Sequence, residues 1–238
     1  MVSIRNVPAG PPPHCIRRSS RARRILLRVL PGRGLEVVLP ARADPACVPD
    51  LLSLNSAWIA KALARMPAPL PPGRFPPASF FIKGGKEEIL TSCSLAAAPQ
   101  DPPGPLPLRR HLLVPQDPAA APAFLRSWVL GEARALLVPR LDQLAREHGF
   151  IYSGSAVRLL RSRWGSCSAA GRIHLNACLL FLPESLVRHI LLHELCHTRR
   201  LDHSPAFWRL LFALEPDAVE KDKALRRAWR HVPAWIFN

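Results

Sequence analysis

The run from His193 to Trp208, HELCHTRRLDHSPAFW, constrains this chain more than any other segment. His193 and His197 are four residues apart, so on a helix both imidazoles project from one face and can bind one metal ion. Glu194 adjoins them, and His203 follows His197 by six residues as a candidate third ligand. Neutral imidazoles around zinc leave a coordination position open, and a neighbouring carboxylate can accept the proton of a water that attacks a carbonyl. The pattern is typical of a zinc hydrolase.

The segment around the two histidines is apolar on nearly every side of a helix. Its apolar residues are Ile190, Leu191, Leu192, Leu195 and Cys196. Such a helix is predicted to be buried. Burying two histidines and a glutamate without partners costs free energy, which favours a metal site over satisfied core histidines.

The third ligand has two sequence candidates: His203, or a later carboxylate at Glu215 or Glu220. If the motif helix continued through residue 203, His203 would lie about 9 Å beyond His197 and about 240° around the axis. The helix is therefore predicted to end between residues 198 and 202. We favour His203, because Glu215 and Glu220 flank a charged stretch and are expected to be solvated.

The chain has a formal net charge of +16, with 33 Lys and Arg against 17 Asp and Glu. A strongly basic protein is attracted to polyanions, so nucleic acid is a candidate partner through a basic surface. A codon bias towards arginine is the alternative explanation, and both stay open. Residues 1–20 are predicted to form a flexible basic arm, and the candidate contacts lie in and just after it: Arg17, Arg18, Arg21, Arg23 and Arg24.

The six cysteines form no CxxC pair, and we predict free thiols in a reducing compartment. The N-terminus has no apolar signal-peptide core, and no apolar run approaches the ~20 residues that cross a membrane. We therefore expect a cytoplasmic protein with no membrane segment. The oligomeric state is left unpredicted.

Hydrophobic patterning predicts an α+β protein in three parts. Residues 21–115 are predicted to be a β-rich N-terminal domain with proline-rich connectors at 67–78 and 99–107. Its predicted elements are strands at 25–30 and 35–40, a helix from Asp44 to before Pro67, a hairpin at 80–82 and 88–91 turning at Gly84 and Gly85, and a strand at 111–114. Residues 116–238 are predicted to form the catalytic domain.

The predicted catalytic domain contains four helices and two strands. The helices run from Asp117 to near Gly149, from Pro183 through the metal motif, from Ser204 and Pro205, and over 216–230. The strands are predicted at 157–164 and 172–176, on either side of Gly171.

Several segments together resemble the YgjP-like metallopeptidase family, which is related to the WLM and SprT-type zinc proteases. They are RSRWGSCSAAGRIHLN at 161–176, HELCH, HSPAFW, and the N-terminal SSRARRILLRV and VVLPARAD. The resemblance implies a zincin-like domain with a small antiparallel or mixed sheet, and a peptide or protein substrate. It also implies zinc held by His193, His197 and His203, with Glu194 as general base.

Two other functions stay open. One is a nucleic-acid-associated zinc protein, either with a structural metal or as a DNA-associated protease; a structural zinc normally has four protein ligands. The other is a zinc amidase acting on a small molecule.

The segment between the predicted strands also has two readings. A strand beside Gly171 is a candidate to pair with an extended substrate. Trp164 and Gly165 are instead interpreted as packing and turn residues, and Cys167 is not predicted to be a nucleophile.

Overall fold

The computed structural model describes residues 12–31, 33–66, 79–83, 89–94, 109–115, 117 and 120–237. The chain divides into two compact units, residues 1–66 and 67–238. Both contain helices and strands, so the predicted α+β class is confirmed. The second unit includes the strands near residues 80–113 that the sequence prediction assigned to the N-terminal domain.

A three-stranded sheet forms the first unit: β1 (His14–Ser19), β2 (Leu26–Leu30) and β3 (Gly34–Pro40). The strand order is β1-β3-β2, with β1 parallel and β2 antiparallel to the central strand. The predicted hairpin at 25–30 and 35–40 is therefore confirmed. Five consecutive residues of β3 are buried, as expected for a strand paired on both edges.

Residues 14–19 differ from the sequence expectation, because they form β1 rather than part of a free arm. Their arginines have partners that the sequence does not reveal. Arg17 Nε lies 3.2 Å from the carboxylate of buried Glu36, and Arg18 Nη1 donates to the carbonyl of Ala41 at 2.6 Å. These contacts join the basic strand β1 to the central strand β3 and to the residue that follows it.

The helix predicted between Asp44 and Pro67 is two helices, α1 (Val48–Leu54) and α2 (Ser56–Leu63). They meet at Asn55, whose side chain donates to the carbonyl of Leu51 at 2.8 Å. A side chain that bonds to the backbone in this way competes with regular helix, which explains the break. The buried residues of the two helices pack on β3 through one cluster: Leu35, Val37, Leu39, Val48, Leu52 and Ile59.

The second unit begins with β4 (Ser79–Ile82), β5 (Ile89–Ser94) and β6 (Arg109–Leu113). β4 and β5 are antiparallel, which confirms the predicted second hairpin, and β6 is parallel to β5. The predicted turn at Gly84 and Gly85 and the two proline-rich stretches lie outside the described residues.

The long helix α3 (Ala121–Glu147) contributes many residues to the hydrophobic core of the second unit. It begins a few residues after the predicted start at Asp117. Its buried residues recur every three or four positions: Ala121, Leu125, Val129, Ala133, Leu137, Leu141 and Leu144. This spacing places one continuous stripe in the core.

A small mixed sheet carries the segment between the predicted strands: β7 (Gly154–Arg158), β8 (Gly165–Cys167) and β9 (Arg172–Asn176). The order is β7-β9-β8, with β7 parallel and β8 antiparallel to β9. Gly171 has a φ of 71° between β8 and β9, a conformation that favours glycine. The strand predicted at 157–164 is therefore wrong over most of its length: only residues 157 and 158 belong to a strand, β7, and residues 159–164 form an irregular loop that leads to β8.

Three further helices complete the unit: α4 (Glu184–His197), α5 (Pro205–Leu214) and α6 (Ala218–Leu225). The last helix predicted over 216–230 is shorter, and a 3₁₀ turn at Ala228–His231 follows it. Across the described part of the chain, no helix combines the length and apolarity that a membrane span requires.

Candidate metal centre

Helix α4 carries His193, Glu194 and His197 and packs in the interior of the second unit. Pro183 precedes the helix, and Glu184 in its first turn lies near the positive helix end and pairs with Arg140 of α3. Ten of its fourteen residues are buried, among them Glu194 and His197. The helix is therefore held by packing on all sides.

The chain turns sharply as soon as α4 ends at His197. Thr198 caps the helix, and its hydroxyl donates to the carbonyl of Leu195 at 2.7 Å. The Asp202 carboxylate then accepts from the backbone N–H of Ser204 at 3.4 Å, and α5 begins at the next residue. Ser204 is the N-cap of α5, but its side chain makes no capping bond. The turn brings residue 203 back towards the helix.

This turn brings the three motif histidines together. His193 Nε2 lies 3.2 Å from His197 Nε2 and 3.0 Å from His203 Nε2. Zinc with nitrogen ligands at 2.0–2.1 Å in a tetrahedral arrangement separates neighbouring nitrogens by about 3.3 Å. The separations are therefore those that a shared zinc ion requires, and these residues can hold one.

His193 and His197, the two histidines on α4, are also in the protonation state that metal binding requires. His197 Nδ1 donates to the carbonyl of Arg200 at 2.9 Å, and a carbonyl only accepts, so the lone pair of a neutral His197 is on Nε2. Burial lowers the pKa of His197 and, reinforced by the neighbouring histidines, lowers that of His193 to about 3. Both rings are therefore neutral at pH 7, the form in which imidazole binds metals.

Phe207 of α5 forms one wall of the cluster. Its ring centroid lies 5.0 Å from that of His193, 4.7 Å from that of His197 and 4.9 Å from that of His203. Packing of one aromatic ring against all three imidazole rings restricts their rotation.

Glu194 is 4 % exposed, and its Oε2 has no hydrogen-bond partner within the described residues. Burial raises its pKa to about 8, although the charge of Arg163 opposes the shift. A carboxylate with a pKa close to neutral can both accept and return a proton near pH 7.

The edge strand β8 lies beside Glu194. Gly165, at the start of β8, faces the Glu194 side chain so closely that no Cβ fits between them. The next strand residue but one is Cys167, whose thiol pKa is raised by burial and by the charge of Glu194. Cys167 is therefore a protonated thiol at neutral pH, and it does not have the character of a nucleophile.

The alternative carboxylates lie elsewhere. Glu215 is 3 % exposed, so the expectation that it is solvated is wrong. It bonds to His189 and Lys221, whereas Glu220 is exposed and pairs with Lys223. Neither belongs to the cluster of three histidine nitrogens.

Sequence reasoning missed two residues that organise the site. Asn176 is fully buried, and its side chain bonds to the backbone of Leu160, Arg163 and Cys178, which shapes the loop that leads into β8. His189 is fully buried on α4. Its signal was present in the sequence, because residue 189 precedes His193 by one helical turn on the same face.

Trp164 is a packing residue, as the sequence predicted. It is buried and stacks on Trp229, with ring centroids 4.1 Å apart and planes 20° from parallel. This contact joins the start of β8 to the C-terminal segment.

Similarity to known proteins identifies the family of this chain. A crystal structure of the metallopeptidase zymogen abylysin, from Pyrococcus abyssi, is 27% identical to this chain, covering 36% of it and 87% of abylysin, with a TM-score of 0.33. No curated protein matches the chain. The family model described as YgjP-like, metallopeptidase domain, matches residues 23–228. The chain therefore belongs to the YgjP-like metallopeptidase family.

Proposed function

We propose that this protein is a zinc-dependent peptidase that hydrolyses peptide bonds in proteins or peptides. His193, His197 and His203 hold the metal, and Glu194 is the general base. The convergence of the three Nε2 atoms carries this proposal: His193 Nε2 lies 3.2 Å from His197 Nε2 and 3.0 Å from His203 Nε2. Zinc bound there supplies Lewis acidity, which polarises a carbonyl and lowers the pKa of water.

Glu194 moves the proton in this scheme. It follows His193 directly on α4, and its carboxylate is held in a buried position against Gly165. In the ionised form it accepts a proton from the attacking water, and in the protonated form it delivers that proton to the leaving amine. In the metal-free protein, burial raises the pKa of Glu194 to about 8, so its protonated form is available near pH 7.

β8 is the candidate surface for the substrate backbone. It is one of the two edge strands of the β7-β9-β8 sheet and begins at Gly165, next to the proposed general base. An extended peptide that adds to this edge through main-chain hydrogen bonds would place a scissile carbonyl beside Glu194. This arrangement favours an extended peptide over the small molecule of the amidase alternative.

A structural metal is the weaker alternative, because the described residues give the three-histidine cluster no fourth His, Cys, Asp or Glu ligand. Glu194 lies next to the cluster, and its buried Oε2 has no hydrogen-bond partner among the residues that the structure describes, which fits a catalytic site. The five cysteines whose side chains are described are free thiols, which suits a reducing compartment such as the cytoplasm.

The test is hydrolysis of a quenched peptide library and of unfolded casein by the full chain. We expect activity that a chelator removes and about one equivalent of zinc restores. Glu194→Gln should keep the zinc and lose activity by at least about 100-fold, in line with loss of general-base catalysis.

Full activity in the zinc-loaded Glu194→Gln variant would refute the role of Glu194. Cleavage of small amides but of no peptide would instead support the amidase.

A further inference from the structure

His189 forms a buried chain with residues of the following segments. Its Nδ1 lies 2.5 Å from Glu215 Oε2, and Glu215 Oε1 accepts from Lys221 Nζ at 2.6 Å. Burial raises the pKa of Glu215, but the hydrogen bonds from His189 and Lys221 outweigh it, and the net shift is downwards. Glu215 is therefore ionised at neutral pH, and it accepts a hydrogen bond from the Nδ1–H of His189.

The opposite side of the His189 ring faces the metal centre. With Nδ1 donating to Glu215, a neutral His189 carries its lone pair on Nε2. One nitrogen of His189, one of His193 and one carboxylate oxygen of Asp222 lie within 4.8 Å of one another. His189 Nε2 is 3.7 Å from Asp222 Oδ1.

Two buried nitrogens here have no hydrogen-bond partner within the described residues: His189 Nε2 and His193 Nδ1. A metal-bound imidazole normally donates its second N–H to an acceptor, which fixes the ring orientation. His197 meets this need with the carbonyl of Arg200. For His193, candidate acceptors are His189 and Asp222, which each have one atom within 4.8 Å of a His193 nitrogen.

The spacing of this second group suits a water molecule better than a second metal. A tetrahedral water with partners at 2.8 Å separates them by about 4.6 Å, whereas a zinc ion separates its nitrogen ligands by about 3.3 Å. The 3.7 Å between His189 Nε2 and Asp222 Oδ1 exceeds the zinc value, and the whole group spans no more than 4.8 Å.

We propose that His189 is a positioning residue for the metal centre. Together with Asp222, and through one buried water, it accepts the Nδ1–H of His193 and so directs the His193 Nε2 lone pair at the metal. The inference rests on the proposed metal site. It gives Glu215 a role as well, because Glu215 holds the His189 tautomer rather than binding the metal.

Three variants of the full chain test the proposal. His189→Phe removes the acceptor and keeps a planar ring, while Asp222→Ala removes the other acceptor from a partly exposed position. Glu220→Ala is the matched control, because it removes the same charge from the same helix at an exposed site bonded to Lys223. Each is assayed for zinc affinity by chelator competition, for the visible spectrum after cobalt loading, and for the unfolding midpoint without metal.

We expect His189→Phe to weaken zinc binding by about 10- to 100-fold, and Asp222→Ala by about 10-fold, both with altered cobalt spectra. Glu220→Ala should match the wild type in all three measurements. A merely structural role would lower the unfolding midpoint without changing the cobalt spectrum.

Wild-type zinc affinity and an unchanged cobalt spectrum in Asp222→Ala and in folded His189→Phe would overturn the proposal. If His189→Phe does not fold, Asp222→Ala alone decides. Absence of zinc binding in the wild type would refute the metal site itself, which is a separate result.

Discussion

Gly165 and Glu194 are in a contact that only glycine permits. A Cβ at residue 165 would lie 2.5 Å from Glu194 Oε1, 2.7 Å from Cγ and 2.8 Å from Cδ. The role of Gly165 is therefore steric, and it differs from the turn role that the sequence suggested, since its φ is not among the positive values. The glycine leaves room for the side chain of the proposed general base.

We predict that Gly165→Ala keeps the fold and the zinc but impairs hydrolysis. The new methyl group pushes the Glu194 carboxylate aside, and a displacement of about 1 Å costs catalysis about 100-fold. Zinc content, the unfolding midpoint and the turnover rate are measured together. Gly131→Ala is the control, because a Cβ there meets nothing within 4 Å. Equal turnover in the two variants would show that Gly165 has no positioning role.

The buried Glu194 should make the metal-free protein less stable as pH rises. Its pKa is raised from 4.5 to about 8, so between these values the unfolded chain releases a proton that the folded protein retains. The contribution of Glu194 to the free energy of unfolding is fully present below pH 4.5, where the side chain is protonated in both states. It is lost as pH rises through about 8. Glu194→Gln should therefore stabilise the metal-free protein at pH 7 by roughly 1–3 kcal/mol.

Urea unfolding of the metal-free proteins at several pH values measures this difference. The advantage of Glu194→Gln should vanish below pH 4.5, where both side chains are neutral. A difference that stays constant between pH 4 and pH 8 would contradict the raised pKa.

His203→Ala should lose zinc, because its Nε2 is one of the three that converge. We expect the affinity to fall by more than about 100-fold, beyond the range for an outer partner. Chelator competition measures the affinity, and His231→Ala serves as a control outside the cluster. Retention of zinc in His203→Ala would assign the third position to another group.

The basic charge leads to a prediction about nucleic acid. Arg21, Arg23 and Arg24 are exposed between β1 and β2, whereas Arg17 and Arg18 already bond within the first unit. If the charge is functional, the triple change of these three exposed arginines to Gln should weaken duplex DNA binding. The slope of log affinity against log salt should fall by about 1 for each phosphate contact removed.

Gel-shift titrations over a range of salt concentrations measure this slope. Changing Arg209, Arg226 and Arg227 to Gln is the control, because it removes the same charge from exposed positions in the second unit. An equal loss of DNA affinity in both variants would indicate a diffuse charge effect. Absence of DNA binding by the wild type at low salt would contradict a role in nucleic-acid binding.

The sequence alone determined the local features of this protein. The four-residue spacing of His193 and His197 in an apolar segment predicted the buried helix α4, and the geometry of an ideal helix required it to end before His203. Two apolar runs, residues 25–30 and 35–40, on either side of a turn-like segment with proline and glycine predicted the hairpin of β2 and β3. These features depend on periodicity within one segment, so they can be read from residues that are close in the chain.

Only the tertiary structure decided the contacts between distant segments. Gly165 meets Glu194 across 29 positions of the numbering, and His189 meets Glu215 across 26. Periodicity carries no information about which segments pack together. For this reason Glu215, which flanks a charged stretch, was predicted to be solvated although it is buried. Strand β1 was not predicted for the same reason. It pairs with β3, which lies some twenty residues later in the chain, and Arg17 of β1 bonds to Glu36 of β3.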